Sequence, residues 1–113
     1  MGGAEMAGSS VVAKRLREAR ERAGLSQKQL GIRAGIDEFS ASPRINQYER
    51  GKHIPDLLTA ERLCKVLNVP PPYLYAKDEK LAEWILVFGQ ADAATRREIT
   101  SAALARRKPQ RKT

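Results

Sequence analysis

The side chains with the clearest chemical potential lie in two short helical patterns between Gly24 and Pro55. The first pattern occupies Leu25–Leu30, and the second closes with Arg44–Lys52. Arginine, asparagine and glutamine in these stretches can match the hydrogen-bonding edges of bases, and lysine can bind phosphate. Two short helices joined by a turn can present such side chains to a groove of DNA. The spacing therefore favours a nucleic-acid partner.

Capping residues mark the ends of both helical patterns. Ser26 precedes the first apolar-periodic run, where its hydroxyl can accept a hydrogen bond from an unpaired amide, and Gly35 ends that helix. Ser42 and Pro43 predict a second start, because serine is a good cap and proline needs no amide at the first helical position. We expect the second helix to run from there to Arg50.

This assignment leaves a long turn between the two helices. Residues 36–41 separate Gly35 from the Ser42 cap, whereas the turn of a helix-turn-helix usually has roughly three to four residues. Either the helices keep their usual angle and the extra residues bulge outward, or the second helix begins elsewhere and sits differently in the groove. We favour the surface bulge, with Phe39 tucked against the core.

The ordered set of residues resembles the phage-repressor-like helix-turn-helix family of transcriptional regulators, also called the xenobiotic-response-element or Cro/CI type. The resemblance covers roughly Val11 to Tyr75. The residues that carry it are Leu25, Ser26, Gln27, Leu30, Ala34, Gly35, Ile45, Glu49, Arg50, Gly51, Lys52, Pro55, Leu63, Leu67 and Leu74. It implies a sequence-specific regulator that binds double-stranded DNA, most simply a repressor that binds a palindromic operator as a dimer.

The resemblance also assigns base-reading positions, which fall on Ser42, Pro43, Arg44, Asn46 and Gln47. Pro43 has no donor to offer. Arg44 can bond both acceptors of a guanine, and Asn46 or Gln47 can pair with adenine. For Arg44 the alternative is a phosphate contact, and for Asn46 it is exposure to solvent.

Contacts to the DNA backbone are expected at both ends of the unit. Gln27 occupies the family's anchor position, where a side chain and helix-end amides meet a phosphate, and Lys28 assists it. Arg50, Lys52 and His53 follow the recognition helix and suit backbone clamping. Such contacts set the register of the protein on DNA without reading its sequence.

Two charged residues match a structural pair of the family. Arg20 and Glu49 are expected to bridge the first and third helices, and removal of either would leave the other charge poorly compensated. The alternative is two independently solvated charges. Ile45 and Tyr48 are expected to pack inward.

Charge is distributed unevenly along the chain. The 113 residues carry a formal net charge of +8. The segment Lys14–Lys52 contributes +5 and the tail 106–113 another +5, whereas His53–Ala105 contributes −1. The positive charge thus lies on the helix-turn-helix and the tail, where phosphates would attract it. Helix faces that are charged only for solubility are the alternative.

Several other classes of function are not expected. No apolar run approaches about 18 residues and no secretory signal is present, so we expect a cytoplasmic protein. The single Cys64 lies on an apolar helical pattern and is expected to be a small buried hydrophobe. His53 has no second His or Cys nearby, so no metal site is expected. Without a Gly-rich phosphate loop or a nucleophile constellation, we expect neither an enzyme nor a cofactor.

The coarse prediction is an all-α fold with a five-helix repressor-like domain over residues 11–76. Residues 1–10 are expected to be disordered, and Ser9 or Ser10 is expected to cap the first helix. That helix carries one apolar face, formed by Val12, Leu16, Ala19 and Ala23. Asp56 can cap a fourth helix, and Tyr73–Tyr75 begins or forms a short fifth one.

Residues 77–105 predict two C-terminal helices that could fold back as a hairpin, followed by a basic disordered tail at 106–113. The first carries an apolar stripe, made of Leu81, Trp84, Ile85 and Phe88. Asp92 can cap the second helix. We favour this stripe as a dimer seam over packing within the chain. A protein-interaction module, such as an antitoxin or adaptor subunit with secondary DNA binding, is the alternative function.

Overall fold

The computed structural model describes the backbone of residues 3–109 and the side chains of residues 10–109. Its six α-helices are α1 (Gly3–Arg22), α2 (Gln27–Arg33), α3 (Glu38–Glu49), α4 (Leu57–Leu67), α5 (Glu79–Gln90) and α6 (Ala93–Arg106). A short 3₁₀ helix, Pro71–Tyr75, lies between α4 and α5. These residues contain no strand, so the all-α prediction is confirmed. None of the helices described is long and apolar enough to cross a membrane.

The first helix starts earlier than expected. Since α1 begins at Gly3, Ser9 and Ser10 lie within it and do not form its N-cap, and the prediction of a disordered stretch up to residue 10 is wrong from Gly3 onward. The strong helix formers of Ala4–Ala7 favour this extension. At the other end of the chain, residues 110–113 of the predicted disordered tail lie outside the described residues.

The helices α1, α2, α3 and α4 and the 3₁₀ helix share one apolar core. Its largest fully buried side chains are Leu16, Leu30, Ile45, Leu63, Leu74 and Cys64. Ile45 and Tyr48 pack inward from α3, as the apolar spacing indicated. Burial also raises the pKa of the Cys64 thiol to about 11, which suits the role of a small buried hydrophobe.

The turn between α2 and α3 corrects the sequence analysis. It comprises only residues 34–37, the usual length for a helix-turn-helix. Asp37 is the N-cap of α3, because its carboxylate accepts a hydrogen bond from the Phe39 amide at 3.0 Å. The predicted surface bulge and the Ser42 cap are therefore wrong. Residues 38–42, which were expected to lie before the helix, instead extend α3 at its N-terminus by about one turn.

The helices α2 and α3 cross at unusually close range. A Cβ atom placed on Gly31 would lie 2.7 Å from the Cβ of Ala41 and 2.9 Å from its Cα. Real Cβ contacts are not this short, so only glycine fits this position of α2 without displacing α3. The crossing thereby fixes the distance between the two helices.

Arg15 attaches α5 to the rest of the fold. Although it is only 2% exposed, its guanidinium donates to the carbonyl of Ala76 at 2.8 Å, to that of Lys77 at 3.2 Å and to the carboxylate of Glu79 at 3.3 Å. It also donates to Glu18 of its own helix at 2.9 Å. Arg15 is not among the apolar residues from which the sequence analysis predicted the buried face of α1, so this attachment was not anticipated.

The predicted C-terminal stripe is divided between two surfaces. Ala82 is buried, and Ile85 and Leu86 pack against the core of the same chain. Gly89 lies so close to Pro70 that a Cβ would meet the Pro70 ring at 2.5 Å. In contrast, Leu81 and Trp84 are 51% and 46% exposed. Of the four residues predicted to form a dimer interface, Ile85 therefore packs partly against the core of its own chain.

The last helix makes little contact with the rest of the chain. A short link joins α5 to α6, as expected, but α6 does not lie along α5 as a packed hairpin. None of its residues is buried. Arg96 holds its first turn by donating to the carbonyl of Phe88 at 2.9 Å, and its guanidinium lies 5.4 Å from the centre of the Phe88 ring.

Candidate nucleic-acid interface

A row of exposed side chains runs along α3 on the side opposite its buried residues. Successive residues of a helix are about 100° apart around its axis, so positions 39, 43, 47 and 50 fall on neighbouring outward directions. In the structure these residues, Phe39, Pro43, Gln47 and Arg50, are all exposed. Ala41, Ile45 and Tyr48 face the core. We call this set of four the outward row.

Phe39 stands at the N-terminal end of the outward row. It is 88% exposed, so the expectation that it would be tucked against the core is wrong. The reason is the earlier start of α3, which places position 39 in the first helical turn on the side away from Ala41 and Ile45. The sequence did hold a signal for this exposure. Asp37 and Ser42 are both residue types favoured at an N-cap, and a helix that starts after Asp37 turns Phe39 outward.

Pro43 lies inside α3 rather than at its start. It has no amide to donate, so the carbonyl of Phe39 receives no helical hydrogen bond from it. A proline inside a helix costs about 3 kcal/mol, yet α3 continues through Pro43, with Ala41 before it and Ile45 after it both buried. Ser42 lies within the helix and is half-buried, which limits its access to a base.

The other expected base-reading residues occupy different sides of α3. Gln47 lies on the outward row and is exposed. Asn46 is half-buried beside it and accepts a hydrogen bond from Gln27 at 3.3 Å. Arg44 is exposed but lies next to the Tyr48 hydroxyl, off the row. Burial raises the pKa of Tyr48, and the charge and hydrogen bond of Arg44 partly oppose that rise.

The beginning of α2 adjoins this surface. Ser26 accepts from the Gln29 amide at 3.0 Å, and the Gln29 side chain accepts from the Ser26 amide at 2.8 Å, which forms a complete capping box. Gln27 is tied to α3, because its amide nitrogen also donates to Glu49 at 3.2 Å. Lys28 is exposed, with its ammonium 3.8 Å from Glu38.

The segment after α3 carries more positive charge. Arg50 is the C-cap of α3, and Gly51 follows with a left-handed φ of 72°, the conformation that glycine adopts readily at a helix end. Lys52 and His53 come next and are both exposed. The three side chains suggested as backbone contacts thus lie together at the C-terminal end of the outward row.

A buried ion pair holds this arrangement to α1. Arg20 donates from Nε to Glu49 at 2.6 Å and from a terminal nitrogen at 2.9 Å, and a third donor reaches the carbonyl of Leu25 at 2.8 Å. The side chains of Arg20 and Glu49 are only 14% and 4% exposed. Hydrogen bonding to Glu49 raises the pKa of Arg20. The structure thus pairs the two residues that the sequence analysis matched, with bidentate geometry.

The chemistry of this surface is that of hydrogen bonding and positive charge. Among residues with described side chains, no group of His, Cys, Asp and Glu could hold a metal ion. The side chains of the interface are instead amides, cations and an aromatic ring. Such groups can contact bases and phosphates without a cofactor.

Comparison with known proteins agrees with this geometry. The family model for the helix-turn-helix matches residues 16–74. The chain is 38% identical over 66 residues to the HTH-type transcriptional regulator ImmR of Bacillus subtilis (strain 168). That match covers 58% of this chain and 49% of ImmR, so the chain spans about half the length of this curated relative.

A solved structure resembles a larger part of the chain. The crystal structure of the transcriptional regulator BswR superposes with a TM-score of 0.78 at 48% sequence identity. The match covers 82% of this chain and 92% of that chain, so it extends beyond the residues matched by the family model.

The ion pair generates a stability prediction. Glu49→Ala should lower the free energy of unfolding by about 3–5 kcal/mol, because it leaves the guanidinium of Arg20 without its carboxylate in a mostly buried site. Glu21→Ala is the matched control, since Glu21 pairs with Arg17 at 3.6 Å with both side chains more than half exposed; it should cost about 0–1 kcal/mol. Urea unfolding without DNA measures both, and equal losses would contradict the structural role.

Proposed function

Because the chain belongs to the phage-repressor-like (Cro/CI-type) helix-turn-helix family, we propose that it is a sequence-specific regulator of transcription that binds double-stranded DNA. The observation that carries this proposal is the outward row of α3, which is exposed over its whole length beside the capped start of α2. A helix with a free face next to such a helix end can enter the major groove while the neighbouring amides approach a phosphate.

The side chains divide into two groups by their chemistry. Gln47, Asn46 and Arg44 can hydrogen-bond to base edges, and Gln47 is best placed because it lies on the outward row. Arg50, the last residue of the outward row, suits a contact to phosphate, as do the exposed side chains of Lys28, Lys52 and His53 outside the row. Gln27 supports α2 against α3 through its amide and still has its carbonyl oxygen available as an acceptor.

We further propose that the regulator binds a palindromic operator as a dimer and acts as a repressor. The support is the unburied surface of α5 and α6, where Leu81, Trp84, Val87 and Leu104 are each about half exposed. Trp84 and Phe88 also line a cleft of about 590 Å³ beside α4. Aromatic residues of this kind anchor many interfaces, and a two-fold dimer places two recognition helices on successive half-sites.

The test of DNA recognition begins with selection of bound sequences from a random duplex library. We expect one preferred site with two-fold symmetry. On that site, Gln47→Ala should lower the preference for the correct base by about 1–3 kcal/mol, because a good bidentate pair is worth that much. Lys52→Ala should weaken binding on every duplex and flatten the salt dependence of log affinity by about one unit. If both variants lose the preference for the correct base, or if neither does, the assignment of base reading to Gln47 and of phosphate binding to Lys52 is contradicted.

The dimer is tested by removing its exposed apolar side chains. Leu81→Ala with Trp84→Ala should give a folded monomer in sedimentation equilibrium, because each side chain is about half exposed within one chain. Leu57→Ala with Leu58→Ala is the control, since these side chains are 71% and 56% exposed on α4 and should leave the dimer intact. A wild-type chain that stays monomeric at micromolar concentration would overturn the proposal. A stable complex with a different protein instead would favour the interaction-module alternative.

A further inference from the structure

The side chain of Phe39 contributes neither to the apolar core nor to the hydrogen bonds of the interface. At 88% it is the most exposed of the large hydrophobic side chains described. Its amide is held by Asp37 at 3.0 Å in the first turn of α3, so the backbone that presents the ring is well ordered. A large apolar side chain that is presented in this way on a rigid helix, and not buried by the protein itself, indicates a contact made on binding.

Pro43 extends the same apolar surface by one helical turn. It lies four residues after Phe39 on the outward row, and four residues before Gln47, so the three side chains form a continuous sequence along the helix. Neither the phenyl ring nor the pyrrolidine ring can donate or accept a hydrogen bond. The N-terminal half of the outward row therefore cannot identify a base by hydrogen bonds from its side chains.

The charges near Phe39 argue against a phosphate contact at this end. Asp37 and Glu38 are the adjacent charged residues, and the one cation nearby among the ion pairs described is Lys28, 3.8 Å from Glu38. With two carboxylates beside one cation, this end of α3 is less favourable for the DNA backbone than the segment that carries Arg50, Lys52 and His53. It can, however, approach the floor of the major groove, where the negative charge of the phosphates is more distant.

The apolar group that the major groove offers is the C5 methyl of thymine. We propose that Phe39 and Pro43 form an apolar ridge that recognises thymine methyl groups in the operator, next to the base that Gln47 reads. This inference rests on the proposed function, since it requires the outward row to enter the major groove. It assigns specificity to Phe39, in the first turn of α3, which lies outside the positions expected to read bases.

The test removes methyl groups from DNA without changing base pairing. The duplex selected by the wild-type chain is prepared with each thymine replaced in turn by deoxyuridine, and affinities are measured by fluorescence anisotropy at fixed salt. At one or two thymines the wild-type affinity should fall about fourfold, the factor expected when one buried methyl group is lost. Phe39→Ala should bind the thymine and deoxyuridine duplexes equally well at the position that Phe39 contacts.

Two further variants serve as controls. Phe39→Leu retains an apolar side chain and should keep a measurable preference for thymine. Tyr75→Ala removes an aromatic side chain that is 51% exposed in the 3₁₀ helix, away from α3, and should leave the thymine-to-deoxyuridine ratio unchanged. Because Phe39 makes almost no contact within the chain, each Phe39 variant should melt at the wild-type temperature, which is measured first.

The possible outcomes separate the ridge from the proposed function. If a preferred site exists but no deoxyuridine substitution changes wild-type affinity, the ridge is overturned while sequence-specific binding stands. If Phe39→Ala weakens binding equally on the selected and unrelated duplexes, Phe39 acts as a non-specific wedge, and methyl recognition is also overturned. If no sequence is selected at all, the proposed function itself fails. If Phe39→Ala leaves every DNA affinity unchanged but abolishes binding to a protein partner, the ring belongs to a protein interface.

Discussion

The carboxylate of Glu49 is the point on which the position of α3 depends. Its side chain is 4% exposed, and it accepts hydrogen bonds from Arg20 of α1 and from Gln27 of α2. A buried carboxylate is stable only when charged or polar donors replace its water. Three helices must therefore keep one relative arrangement for this single group to be satisfied, and the arrangement fixes the direction of the outward row.

A second constraint acts at the other end of α2. The close contact between Gly31 and Ala41 leaves no room for a side chain at position 31 of α2. At the start of the same helix, the Gln27 side chain donates hydrogen bonds to Asn46 and Glu49 of α3. Together these contacts prevent α2 from sliding or rotating on α3. A surface that is already ordered before binding loses less conformational entropy when it binds. The same network thus serves stability and prepares the interface.

Much of this structure follows from local sequence signals, but those signals conflict at the start of α3. Asp37 and Ser42 are both good caps, and a proline after Ser42 strengthens the second choice. What decides between them is tertiary packing: helix from Glu38 onward places Ala41 against Gly31 and Ile45 in the core. The sequence therefore predicted the family, the all-α fold and the ion pair, but not the length of the recognition helix.

The exposed Phe39 and the buried Arg15 show the same limit of pattern-based prediction. An aromatic residue is normally assigned to the core and an arginine to the surface. Here the earlier start of α3 turns Phe39 outward, and the carbonyls of Ala76 and Lys77 give Arg15 partners that are more than 60 residues away in sequence. Such long-range partners cannot be identified from helical periodicity. The exposure of α6 is a similar case, because the presence of a packing partner within the chain cannot be predicted from the periodicity of the helix itself.

Amide hydrogen exchange of the full chain, alone and with its selected duplex, tests most directly whether the extended α3 and the start of α2 enter DNA together. In the free protein, the amides of Ser42 and Arg44 should already be protected, because helix α3 begins at Glu38. On binding, exchange should slow further in residues 26–29 and 38–47. Fast exchange of Ser42 and Arg44 in the free protein would contradict the extended helix. Protection by DNA confined to α4–α6 would contradict the interface.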